Sequence, residues 1–186
     1  MLNENIYFIF CKESKGSSYK IIYIKNEKIK MKKIITICLG LLMALSTTQV
    51  NAQTEVRKKE FNVAKNGLAI EGYDPVAYFT LGKAEKGTKD NAVIADGIVY
   101  YFSSVQTKEL FKANYKKYEP KYGGWCAYAM GATKEKVEID PETFKIINGE
   151  LYLFYHTWVN NTLTKWNKDE VALKAKAELS WKNFFH

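Results

Sequence analysis

Two places in this chain set a hairpin turn between short runs of apolar, β-branched and aromatic residues, and they constrain the fold more than any other feature. Ala92-Val93-Ile94-Ala95 and Ile98-Val99-Tyr100-Tyr101-Phe102 flank Asp96-Gly97. Phe144-Lys145-Ile146-Ile147 and Leu151-Tyr152-Leu153-Phe154-Tyr155 flank Asn148-Gly149. Asp-Gly and Asn-Gly favour the type I′ turn, because both residues tolerate positive φ. Each segment pair therefore reads as a two-stranded antiparallel hairpin.

Helical signals lie between and after the hairpins. Ser103 or Ser104 can cap a helix over residues 105–114, anchored by Leu110 and Phe111. Residues 122–130 read as a helix that starts at Gly123-Gly124 and is closed by Gly131. Residues 168–185 read as an amphipathic helix, with Val171, Leu173, Ala177 and Leu179 followed by Trp181. Glu71-Gly72-Tyr73-Asp74-Pro75 is turn chemistry, and residues 76–79 follow as a short helical turn or strand. The chain has no internal repeat. Two β-hairpins, intervening short helices and a C-terminal amphipathic helix predict a small α+β domain over residues 67–186.

Residues 31–52 read as a signal peptide. Met31-Lys32-Lys33 is a short basic start, Ile34 to Leu45 is an apolar run, and Val50-Asn51-Ala52 fits a cleavage site before Gln53. The run falls short of the roughly 20 apolar residues of a membrane span, and Cys38 sits too early in it for a lipoprotein site. Residues 1–30 show no recognisable element; they read as a misassigned upstream extension, with a long basic leader as the alternative. Residues 53–66 are polar and basic and read as a flexible lead-in. The expected location is periplasmic or secreted, with no membrane span after cleavage.

The formal net charge of +8 is concentrated at the start: residues 1–52 hold eight lysines and three glutamates, leaving +3 for residues 53–186. That balance gives no electrostatic case for nucleic acid. Of three cysteines, Cys11 and Cys38 precede Gln53. Cys126 is left without a partner for an internal disulfide. Such a thiol is buried and inert, binds something soft, or reacts.

Several motifs in order resemble the exported branch of the YHS-domain family. They are residues 72–79 (Gly-Tyr-Asp-Pro-Val-Ala-Tyr-Phe), Tyr100 to Ser104, Phe111, Tyr118, residues 122–128 (Tyr-Gly-Gly-Trp-Cys-Ala-Tyr), Asp140-Pro141 and residues 148–153. The resemblance implies the fold of that family. In its metal-binding form, one cysteine follows the Asp-Pro-Val triplet and two more flank the serine after Tyr-x-Phe. Here those places hold Ala77, Ser103 and Thr107, so the usual metal site is missing.

Three functional readings follow. The first is a non-catalytic module binding a transition metal, copper before zinc, through Cys126 with His156 or Met130, since soft ions prefer thiolate, imidazole and thioether donors. The second is a metal-free module for a small ligand or a protein partner. Its aromatic pocket would comprise Tyr73, Asp74, Tyr122, Gly123, Gly124, Trp125 and Tyr128, whereas an exposed aromatic patch would mark a partner surface instead. The third is a thiol enzyme using Cys126, which would need a base from His156 or His186. Asp74 and Asp140 are better explained as turn residues that accept backbone N–H bonds than as an acid–base pair.

Overall fold

A computed structural model of the chain describes Tyr7–Lys12, Tyr19–Ile24, Ile35 and residues 53–185. The chain divides into two units, Met1–Asn51 and Ala52–His186. In the first, β1 (Tyr7–Lys12) pairs antiparallel with β2 (Tyr19–Ile24), from Tyr7 opposite Ile24 to Lys12 opposite Tyr19. This corrects the expectation that residues 1–30 contain no element; both segments are rich in Tyr and Ile, which suit a pleated backbone. The signal-peptide reading of residues 31–52 falls outside the described residues, apart from Ile35.

The second unit is an α+β domain with its own core. Residues 53–60 are helical (α1), where a flexible lead-in was expected. Arg57 reaches Glu119 at 2.6 Å, and Phe61, just beyond the helix, packs edge-on to Trp181 in the core. The polar composition hid this because a single aromatic anchors the segment.

After a turn at Ile70–Gly72 comes α2 (Ala77–Thr80). The first expected hairpin follows: β3 (Thr88–Ala95) pairs with β4 (Ile98–Phe102), closing at Ala95 opposite Ile98. Ile98, Tyr100 and Phe102 are buried in strict alternation, the period of a half-buried strand. Ser104 caps α3 (Val105–Ala113) by accepting from the Thr107 N–H, and Phe111 is its fully buried anchor. Next come α4 (Tyr115–Tyr118), α5 (Ala127–Ala132), and the second expected hairpin, β5 (Asp140–Ile147) with β6 (Glu150–Phe154). A small hairpin not foreseen in the sequence, β7 (His156–Thr157) and β8 (Asn160–Asn161), leads into α6 (Thr162–Trp166) and α7 (Glu170–Lys182).

β6 is the centre of the domain. Leu151 and Leu153 join one core cluster with Ile98, Tyr100, Phe102 and Phe111. Tyr152 and Phe154, pointing the other way, join a second with Tyr122, Met130, Trp166, Leu173 and Ala177. The period-2 geometry of a strand thus puts one aliphatic and one aromatic face of β6 into two different cores.

The expected helix over 122–130 is corrected. Tyr122, Gly123 and Gly124 have φ of 55°, 60° and 86°, so Lys121–Gly124 is a left-handed turn and α5 starts only at Ala127. A Cβ on Gly123 would lie 2.7 Å from the Trp181 ring and 3.0 Å from that of Phe61. The glycine is therefore required for space as well as for φ. In α7, Leu173, Ala177 and Ser180 are buried as its inner face, but Val171 and Leu179 are 84% and 66% exposed. Among the described residues, no helix is long and apolar enough to cross a membrane.

Candidate functional site

The left-handed turn delivers Cys126 into the interior, at the cap position of α5 and 0% exposed. Two groups meet its sulfur. The Tyr155 N–H donates to Sγ at 3.3 Å, and Thr162 Oγ1 lies 3.4 Å away. Thr162 has one hydroxyl proton, which goes to the Tyr155 carbonyl at 2.7 Å. The thiol must then be the donor to Thr162 Oγ1, so the sulfur both accepts and donates. Tyr155 and Thr162 immediately flank the small β7–β8 hairpin, and the Thr162 N–H also donates to the Tyr155 carbonyl at 3.0 Å. Cys126 therefore clamps the two ends of that hairpin together.

What the clamp holds out is an apolar tip. Thr157 pairs with Asn160, and the two residues between them, Trp158 and Val159, are 99% and 81% exposed. The Asn161 side chain accepts from the Leu163 N–H at 3.0 Å, fixing the exit into α6. At the entry, His156 Nδ1 lies 3.3 Å from Asp140 Oδ2 and 3.0 Å from Thr143 Oγ1. Thr143 gives its own proton to Asp140 at 2.7 Å, so Nδ1 is the donor of this group.

These positions separate the metal-ligand candidates. The thiol is turned to Tyr155 and Thr162, the imidazole to Asp140 and Thr143, and they share no partner. Met130 follows Cys126 by one turn, its N–H donating to the Cys126 carbonyl, but its side chain is buried in the second core cluster. Among the described residues, no three His, Cys, Asp or Glu side chains converge on a metal-sized site. His186 lies outside the described residues.

The expected aromatic pocket is dispersed as well. Tyr122, Gly123 and Gly124 are buried. Burial and then Glu178, whose carboxylate accepts from the Tyr122 hydroxyl at 3.4 Å, push the Tyr122 phenol far up. Trp125 is half-buried; its Nε1 donates to the Glu60 carbonyl at 2.7 Å, with Lys136 over the ring. Tyr128 is half-buried beneath Lys165. Tyr73 contacts Glu142 at 3.3 Å, and desolvation followed by that carboxylate raises its phenol. Asp74 is 0% exposed and saturated. Its Oδ1 accepts from the N–H groups of Val76 and Ala77 at 2.9 and 3.3 Å, and its Oδ2 from the N–H and hydroxyl of Ser103 at 2.9 and 2.8 Å. It ties the turn before α2 to the end of β4. A cleft of about 170 Å³ does exist elsewhere, between residues 62–64, Leu68, Ile70, Glu71, Glu138 and Ile139. None of the expected pocket residues lines it.

Trp158 is the exposed aromatic that nothing in the sequence singles out. It stands two residues after His156 in an aromatic-rich stretch whose other members are buried in the core or half-buried against it. Only Thr157 and Asn160, polar and short on both sides of Trp158-Val159, hint at a turn. The chain matches no protein-family model, no curated protein and no solved structure.

Proposed function

We propose that residues 53–186 form a non-catalytic binding module of the YHS-like kind, acting outside the cytoplasm, that meets a protein partner through the Trp158–Val159 tip. The observation that carries this reading is a tryptophan 99% exposed on a two-residue turn, beside a valine 81% exposed. Tryptophan is among the side chains that contribute most to an interface once desolvated. A short turn clamped at both ends presents it with little ordering left to lose on binding. Cys126 has a place in this reading without any chemistry of its own, because its sulfur holds the base of the hairpin.

The metal and thiol-enzyme readings rank below it on the same geometry. A metal ion at Cys126 would have to displace both Tyr155 and Thr162 from a sulfur with no exposed surface. A nucleophile would need a base within hydrogen-bond reach, whereas the His156 imidazole is engaged by Asp140 and Thr143.

The test is capture of envelope proteins by the wild-type domain beside Trp158→Ala and Val159→Asp. Both sites are exposed, so both variants should fold as the wild type does. A species held by the wild type and lost by both variants supports the reading. Capture that is identical in all three overturns it.

A further inference from the structure

A second exposed apolar feature lies on α7 and is independent of the hairpin tip. Val171, Ala175 and Leu179 fall at i, i+4 and i+8, and so form one stripe along the helix. All three are exposed, Val171 by 84% and Leu179 by 66%. The stripe runs opposite the inner face made by Leu173, Ala177 and Ser180.

Around this stripe three of the four charges outside ion pairs are lysines. Lys168 lies just before the helix, Lys182 at its last turn and Lys176 along one side; all three are exposed and, among the described residues, none forms an ion pair. Along the other side the charges cancel, since Glu178 pairs with Lys121 at 3.2 Å and Lys174 with Glu150 at 3.4 Å. Asp169, at the start of the helix, is the one acidic residue near the stripe without an ion pair among the described residues.

We propose that this outer face of α7 seats the domain on an anionic lipid surface. An apolar strip with lysines at both ends and along one flank has the chemistry of an interfacial helix: the aliphatic side chains enter the headgroup boundary while the ammonium groups meet lipid phosphates. A second copy of the chain is a poor occupant, since pairing two such faces would set lysines against lysines. A convex helix face bordered by scattered cations matches a plane of negative charge better than it matches one groove.

The experiment is co-sedimentation of residues 53–186, a unit with its own core, with vesicles. One set is pure phosphatidylcholine and the other an equimolar mixture with phosphatidylglycerol. The wild type should bind the mixed vesicles, ignore the neutral ones, and be released by salt. Val171→Glu/Leu179→Glu, at sites that hold no core contact, should weaken binding at least about tenfold, since it removes the inserted side chains and adds like charge. Lys168→Gln/Lys176→Gln/Lys182→Gln should abolish the preference for phosphatidylglycerol. The proposal is overturned if the wild type ignores mixed vesicles, or if the glutamate variant binds as the wild type does. It is equally overturned if Trp158→Ala alone removes binding, which would place the contact at the hairpin tip. Self-association in solution that the glutamate variant abolishes would assign the stripe to a second copy, and also overturns it.

Discussion

Replacing Cys126 by alanine separates a structural thiol from a chemical one. The substitution strips the Tyr155 N–H of its acceptor inside the protein and removes the donor to Thr162 Oγ1. A buried N–H left unpaired costs about 1–3 kcal/mol. Thr162 keeps its bond to the Tyr155 carbonyl and adds little. Loss of the sulfur from a fully buried site adds about 1 kcal/mol for the missing contacts and the small void. The expected loss is therefore about 2–4 kcal/mol, a large share of the stability of a domain this size. Cys126→Ser keeps a donor and an acceptor on a shorter bond and should cost less, about 1–2 kcal/mol. Urea unfolding of residues 53–186, followed by tryptophan fluorescence, gives both numbers. Iodoacetamide labelling of the wild type should proceed only at the rate of opening of the fold, because the sulfur has no exposed surface. A loss below about 1 kcal/mol for alanine, or fast labelling under native conditions, would refute the clamp and return Cys126 to a reactive or ligating role.

Other outcomes follow from the same geometry. Titration of reduced protein with Cu(I) should show no stoichiometric uptake that disappears in Cys126→Ala; one equivalent bound by the wild type alone would restore the metal reading. Asp74→Ala should destabilise by about 3–5 kcal/mol in the same urea assay, because the Val76 and Ser103 N–H groups lose a buried acceptor; Asp74→Asn keeps the shape and should cost less. Gly131→Ala places a Cβ 2.4 Å from the Leu173 carbonyl oxygen, so α5 and α7 must separate, at about 1–3 kcal/mol or more. At alkaline pH the Tyr115 phenol, pushed up to about 12 by burial and by the hydrogen bond to Asp96, should ionise only well above the ordinary range of a free phenol. The folded state holds that proton more tightly than the unfolded one. Its contribution to stability is complete below pH 10 and is lost as pH rises towards 12; a tyrosinate titration with and without urea would show whether the two states differ.

What could be read in advance was whatever local chemistry decides. Asp96-Gly97 and Asn148-Gly149 set both hairpins because the turn itself demands residues that tolerate positive φ, and the Ser103-Ser104 pair marked the start of α3, where Ser104 makes the capping bond. The candidate site was not local in this sense. That Tyr122 would share the left-handed turn with the two glycines depends on where Phe61 and Trp181 pack, far away in the chain. The partners of Cys126 are a backbone N–H and a threonine that no spacing rule connects to it. Trp158 differs from Trp166 in that no described residue folds over it, and α7 shows the converse: its apolar residues follow a helical period, yet Val171 and Leu179 look outward.

β6 has a further consequence. Its amides at Leu151 to Phe154 lie where two clusters of side chains meet, so exposing them to solvent requires both to come apart together. They should be among the last positions to exchange hydrogen for deuterium, at the free energy of complete unfolding. Evolution then has little freedom along this strand: a change of volume at Leu153 is felt in one cluster and at Tyr152 in the other, while their shared backbone carries the displacement across. The strand works as the keystone of the domain, and the freedom to vary lies in the hairpin tip and the outer face of the last helix.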